Sequence, residues 1–267
     1  MPIFIDRHDM GGTSAADVAD AHARDLTIQD RYGVKFLTYW FDEARGTAFC
    51  LVDAPDKETA QKVHADAHGH VAGHVIPVEL AVVEGFLGRL SDPRHSPVRE
   101  QTPESAHRAV MFTDIVGSTE MTARLGDLAA TELIRTHDAL VRRALSQWDG
   151  REVKHLGDGI MASFHSTEAA VSCAKAIQKA FQTYNQSETK PLHVRIGIAS
   201  GEPVEDSSDL FGSTVQMASR LCGAANPDEV LVSQLARDEC ADSNAFVSAG
   251  RKLLKGFPEP VQVFACT

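Results

Sequence analysis

The chain has 267 residues, 43% hydrophobic and 24% charged side chains, and a net charge of −11, an ordinary globular composition with room for two domains. No stripe of Lys and Arg interrupts the acidic balance, which argues against a nucleic-acid surface, where clustered cations must neutralise phosphates. No apolar run approaches the roughly 18–20 residues that span a bilayer, and the opening MPIFIDRHDM is too polar for a secretory signal. Five scattered cysteines (Cys50, Cys173, Cys222, Cys240 and Cys266) form no CxxC pair. The expectation is a cytoplasmic protein with free thiols that meets neither membrane nor nucleic acid.

In chain order, PIFIDR (2–7) reads as a short strand. Ser14, with Asp17 three residues on, opens a helix running to about Asp30. KFLTYWFD (35–42) and TAFCLVD (47–53) are rich in β-branched and aromatic residues and flank the turn EARG, so they read as a hairpin. Asp56 caps a second helix reaching about His68, and Val75 to Phe86 returns as a strand. The order βαββαβ predicts a ferredoxin-like domain over residues 1–87. Residues 88–107 carry Pro93, Pro97 and Pro103 among polar residues and read as a linker.

From 108 to 267 the pattern predicts a second α+β domain. Ala109 to Asp114 is a buried strand, and a helical stretch from Ser118 to about Gln147 breaks at Gly126. Strands at 152–156 and 160–164 flank the tight turn GDG. A helix over 166–184, a strand over 192–200, a helix over about 212–222, a strand near Val230, a short helix from Ser233 and a final strand over 261–265 follow.

Two segments carry chemistry. In FTDIVGST (112–119) a buried strand delivers Asp114 to a turn with Gly117 and a helix beginning at Ser118 and Thr119. Such a turn offers free N–H groups and the positive helix end to a phosphate. In VKHLGDGIMASF (153–164) a hairpin tip presents Asp158. Taken singly, each aspartate reads equally well as a cap or turn residue. Taken together, carboxylates on adjacent strand ends can hold two Mg²⁺ or Mn²⁺ ions about 4 Å apart.

Over residues 107–266 these motifs, in their order and spacing, resemble the class III adenylyl and guanylyl cyclases. The resemblance implies that Asp114 and Asp158 hold the two metals, with the Ile115 carbonyl as a further ligand. It implies that Lys154 and, in DLFGSTVQMASR, Asp209 read the base, that Arg220 stabilises the transition state, and that Lys255 in LLKGFPEPVQVF holds the terminal phosphates. A lysine donor and an aspartate acceptor complement adenine N1 and N6, whereas guanine would leave both unpaired, at roughly 1–3 kcal/mol per buried group. The pair therefore points to ATP. One position departs from the family: Gln216 stands where asparagine orients the ribose. The added methylene puts efficiency and nucleotide choice in question, since a 1 Å displacement can cost about a hundredfold in rate. In this family the metal aspartates come from one subunit and the base-reading and transition-state residues from the other. The implied assembly is a head-to-tail homodimer with two composite sites. Guanylyl or pyrimidine-nucleotide cyclisation, and a catalytically silent nucleotide- or metal-binding regulator, are the competing readings.

Residues 1–87 resemble a family of small ferredoxin-like, nickel-binding proteins, through FIDRHD, LTYWF (37–41) and VHADAHGH (63–70). His64 and His68 share a helix face, His70 and His74 follow, and His8 approaches from the first strand. Imidazoles grouped this way suit Ni²⁺, Cu²⁺ or Zn²⁺. The alternative is a set of partly buried, hydrogen-bonded packing histidines. Regulation or dimerisation of the second domain is the expected role.

Overall fold

The computed structural model describes residues 1–91, 104–203 and 211–267. The chain divides into two compact units, Met1–His107 with Glu202–Gly212, and Arg108–Gly201 with Ser213–Thr267. Among the described residues no helix is long and apolar enough to cross a membrane. All five cysteines are free.

The first unit runs β1 (Ile3–Asp9), α1 (Ala15–Ile28), β2 (Lys35–Asp42), β3 (Thr47–Asp53), α2 (Lys57–Ala67), β4 (His74–Val78) and α3 (Leu80–Leu87). Its strands lie in the order β2-β3-β1-β4, every pair antiparallel, as the split-βαβ reading predicts. Ser14 and Asp17 form a reciprocal capping box on α1, and Asp56 accepts the Thr59 N–H at 2.7 Å to start α2. Phe4, Val18, Phe36, Tyr39, Val52 and Val63 form the core. One expectation fails. The last strand stops at Val78, and most of the segment read as its continuation is α3. Val83, Phe86 and Leu87 are the buried residues there, a spacing of three and four that a helix face satisfies and a strand does not.

The second unit comprises β5 (Arg108–Ile115), α4 (Ser118–Leu125), α5 (Asp127–Gln147), β6 (Arg151–His155), β7 (Ile160–Phe164), α6 (Thr167–Ser187), β8 (Val194–Gly201), α7 (Gly212–Ala224), β9 (Val230–Ser233), α8 (Gln234–Asp238), β10 (Phe246–Lys252) and β11 (Val261–Cys266). The mixed sheet has the order β10-β11-β9-β8-β5-β7-β6, and only β8 and β9 pair in parallel. β5 lies inside the sheet between β8 and β7, and its near-continuous apolar run reflects burial on both faces. Met111, Val141, Ile160, Phe164, Ile177 and Ile196 centre the core. The expected break at Gly126 separates α4 from α5. The edge strand β10 was not expected, because its sequence FVSAGRK is largely exposed and lacks an apolar run.

Candidate active site

Asp114 lies near the end of β5, and Asp158 sits in the tip between β6 and β7. Hydrogen bonds from the residues flanking one aspartate reach the loop of the other. The Ile115 N–H donates to the Asp158 carbonyl at 3.1 Å, and the Ile160 N–H donates to Thr113 Oγ1 at 3.1 Å. Gly159 permits this approach, since a Cβ there would stand 2.1 Å from the Thr113 carbonyl oxygen. The segments that carry the two carboxylates are thus tied together by one main-chain bond and one bond to the Thr113 hydroxyl.

Each carboxylate is held by a donor. Arg195 on β8, directly across the ladder from Asp114, places Nε at 2.7 Å and Nη2 at 2.6 Å from Asp114 Oδ2. Its Nη1 also donates to the Gly223 carbonyl at 3.2 Å. The Ser118 hydroxyl donates to Asp158 Oδ2. The sequence reading missed Arg195. Its signal was a single cation inside the apolar strand HVRIGIAS, but its partner follows only from the register. Asp114 is 26% exposed and Asp158 is partly buried, so both are reachable. Two oxygen-donor carboxylates suit a hard divalent cation, which would compete with the Arg195 guanidinium for Asp114 Oδ2.

Gly117, at φ 68°, turns the chain from β5 into α4, whose N-terminus carries no side-chain cap. A left-handed residue is cheap there only as glycine. The first-turn amides of Ser118 and Thr119 have no partner within the helix, as at any helix start, and present the positive end of the helix dipole.

A second group forms on another part of the unit. Gln216 and Arg220 are one turn apart on α7, and both are exposed. Arg220 Nε donates to the Lys255 carbonyl at 3.0 Å, tying α7 to the loop before β11. Lys154 is exposed on the edge strand β6, where a register shift between Glu152 and Lys154 breaks the regular alternation. Asp209 lies outside the described residues.

The first unit holds a buried polar cluster of its own. His64 sits between two carboxylates, with Nε2 at 2.9 Å from Asp6 and Nδ1 at 3.1 Å from Asp25. His8 Nε2 is 3.1 Å from Asp6, and His68 Nε2 is 3.2 Å from Asp25. Burial resists charge on His64, yet Asp6 and Asp25 outweigh it and push the imidazole up to about 10. Burial likewise opposes the charged form of Asp6, and His64 and His8 override it, holding the carboxyl far below the usual range. Burial, with Asp6 and Asp25 adding, pushes the Cys50 thiol well above its ordinary value. One potential ligand atom from each of Asp6, His8, Cys50 and His64, and likewise from Asp25, His64 and His68, lies within 4.8 Å of the others in its set. The adjoining cavity of about 20 Å³ has room for one ion or water and nothing larger. His70 lies at its rim, its N–H donating to His68 Nδ1 at 3.1 Å. His74 is exposed on β4 opposite Arg7, and it is not among the residues lining the cavity. Asp6, Asp25 and Cys50 escaped the sequence reading. The signal for Asp6 was an acid two residues before His8, hence on the same strand face.

Residues 100–265, more than half of the chain, match the family described as Adenylate and Guanylate cyclase catalytic domain. The chain belongs to this family. Residues 4–78 match the family described as Nickel responsive protein SCO4226-like. The chain is 34% identical over 131 residues to an adenylate cyclase of Streptomyces coelicolor, covering 49% of this chain and 33% of that one. A receptor-type adenylate cyclase of Trypanosoma brucei brucei is 27% identical over 248 residues, covering 75% of this chain and 20% of its own length. The chain therefore spans about a fifth to a third of these relatives. Among solved structures, the adenylyl cyclase CyaB from P. aeruginosa is 28% identical with a TM-score of 0.52, over 60% of this chain and 93% of that one.

In the cyclase domain, then, most of the expected residues gather in two groups, with Lys154 in neither. Asp114, Ile115, Gly117, Ser118 and Asp158 form one, joined by Arg195. Gln216, Arg220 and Lys255 form the other.

Proposed function

We propose that the cyclase domain converts ATP to cyclic AMP and pyrophosphate in a head-to-tail homodimer with two shared sites. The ribose 3′-oxygen attacks the α-phosphorus in line, the bond to the β-phosphate oxygen breaks, and the hydroxyl proton leaves to solvent. The observation that carries this reading is the fixed pair Asp114 and Asp158, tied through Ile115, Thr113 and Gly159. The donors fit two Mg²⁺ or Mn²⁺ ions, with the Ile115 carbonyl completing the set. Bound there, such ions lower the pKa of the 3′-hydroxyl and neutralise charge on the α-phosphate.

This chain's own residues do the rest. The amides at Ser118 and Thr119, after the Gly117 turn, receive phosphate oxygens. Arg195 holds Asp114 Oδ2 and would have to yield that oxygen to a bound metal. In the partner copy, Lys154 donates to adenine N1 and Asp209 accepts from N6. Arg220 donates to the charge developing on the α-phosphate, Gln216 orients the ribose, and Lys255 holds the terminal phosphates. Exposure of Lys154, Gln216, Arg220 and Lys255 in the single chain supports a site completed by a second copy. The purified protein with Mn²⁺ and each of ATP, GTP, CTP and UTP tests this. Cyclic product from ATP well above the other three is expected. Product from GTP or a pyrimidine nucleotide instead overturns the base assignment, and tight nucleotide binding with no product from any of the four makes the chain a silent regulator.

A second reading concerns residues 1–87, proposed as a regulatory domain joined by 88–107 to the catalytic residues 108–267. His8 Nδ1 and Asp25 Oδ1 are buried with no hydrogen-bond partner among the described residues, a costly state that a bound cation would relieve. We assign Ni²⁺ or Zn²⁺ to this cluster, held by His8, His64 and His68 with Asp6, Asp25 and Cys50 as neighbouring donors and His70 at the rim. Calorimetric titration with Ni²⁺ should give one tight site per chain, lost in the double variant His64→Ala, His68→Ala. An unchanged stoichiometry in that variant rules the site out.

A further inference from the structure

Behind the two aspartates lies a buried polar chain that the reaction itself does not use. His137 on α5 is fully buried. Its Nε2 is 3.3 Å from Thr113 Oγ1, and its Nδ1 is 3.0 Å from Asp138 Oδ1. As a carboxylate, Asp138 only accepts, so His137 carries its proton on Nδ1 and donates it to Asp138. In the neutral ring Nε2 is then the acceptor, and the Thr113 hydroxyl donates to it while its oxygen accepts the Ile160 N–H. Burial holds the ring below the usual imidazole range despite the pull of Asp138, which agrees with this neutral tautomer.

Asp138 continues the chain outward. Its Oδ2 is 2.9 Å from His155 Nε2 and 3.6 Å from Arg142 Nη1. Arg142 in turn holds Glu152 with two bonds, 2.7 Å from Nε and 3.0 Å from Nη2. Glu152 and His155 bracket the irregular stretch of β6 that presents Lys154. One helix face therefore grips both the β5–β7 junction beneath the aspartates and the edge strand bearing the base-reading lysine.

We propose that His137 and Asp138 are positioning residues: through Thr113 they fix the spacing of Asp114 and Asp158 for metal, and through His155 and Arg142 they fix the strand that carries Lys154. In a dimer with shared sites, these parts of one chain serve two different active sites, so the chain of contacts links one site's metal half to the other's base-reading half. The proposal rests on reading Asp114 and Asp158 as metal holders.

The test is a double-mutant cycle on the full-length protein, read by Mn²⁺ binding and not by turnover. Free Mn²⁺ is followed by electron paramagnetic resonance, and the relevant site is the binding that Asp114→Asn with Asp158→Asn removes. Thr113→Val keeps side-chain volume while deleting the hydroxyl, and His137→Phe keeps the ring while deleting its nitrogens. Each should weaken Mn²⁺ about fivefold to tenfold, the usual weight of one buried hydrogen bond. The double variant should be no weaker than the worse single one, since both cut the same chain. Thr113→Ser should restore wild-type affinity. Wild-type affinity in Thr113→Val, or double-variant losses that multiply, overturns the proposal. If His137→Phe fails to fold, Asp138→Asn decides: it removes the carboxylate that orients the ring and spares the Thr113–Ile160 bond, so it should weaken Mn²⁺ too, and wild-type affinity in it overturns the proposal. Aspartate-dependent Mn²⁺ binding in a protein that cyclises no nucleotide would fail the functional reading while leaving this one standing.

Discussion

Asp158→Asn is expected to lower kcat/KM for ATP about a thousandfold or more while leaving the fold intact. On the proposed reading, removing one of two metal-holding carboxylates forfeits several kcal/mol of transition-state charge stabilisation, and about 1.4 kcal/mol is a factor of ten in rate. The fold survives because the bond that secures the hairpin tip uses the Asp158 carbonyl, not its side chain, and an asparagine oxygen still accepts from Ser118. Asp114→Asn should lose as much activity with a slightly larger change in melting temperature, because Arg195 then loses its anionic partner. That pair is about a third exposed at Arg195 and a quarter at Asp114, so solvent screening limits its contribution to at most about 1 kcal/mol. Product chromatography beside a thermal melt separates the two effects. Activity within tenfold of wild type in a folded Asp158→Asn protein would falsify the metal assignment.

Arg220→Ala should lower kcat about a hundredfold to a thousandfold with little change in KM. A charged donor aimed at the developing phosphorane charge acts in the transition state, not in the ground state. Its structural role is slight. Arg220 is exposed and donates one bond to the Lys255 carbonyl, so stability should shift by no more than about 0.5–1 kcal/mol. A rise in KM with kcat unchanged would instead make Arg220 a simple phosphate anchor.

The legible parts of this chain were those in which local pattern and tertiary role coincide. β5 read as a buried strand because neither face meets water, and GDG read as a hairpin tip because its glycines permit the turn and, at Gly159, the contact with Thr113. Segment 79–87 misled because β-branched valines suggest a strand, while burial at Val83, Phe86 and Leu87 selects a helix. The candidate site was half legible. Asp114 and Asp158 were singled out as a pair, on a strand end and a hairpin tip, and by the cyclase resemblance, whereas Arg195 meets Asp114 only through the β5–β8 register and His137 meets Thr113 only through the packing of α5. In the N-terminal cluster the histidines at 64 and 68 follow from helical spacing. Asp6, Asp25 and Cys50 join them only when strand pairing sets Asp6 against Cys50 and α1 delivers Asp25.

Subunit mixing tests the central claim most directly. Asp114→Ala protein and Arg220→Ala protein, each nearly inactive alone, form a mixed dimer in which one of the two sites has every residue intact. Cyclic AMP formation should recover on mixing, to as much as about a quarter of the wild-type rate for random association of equal amounts. No recovery, with subunit exchange demonstrated by a tag on one variant, contradicts the shared-site cyclase.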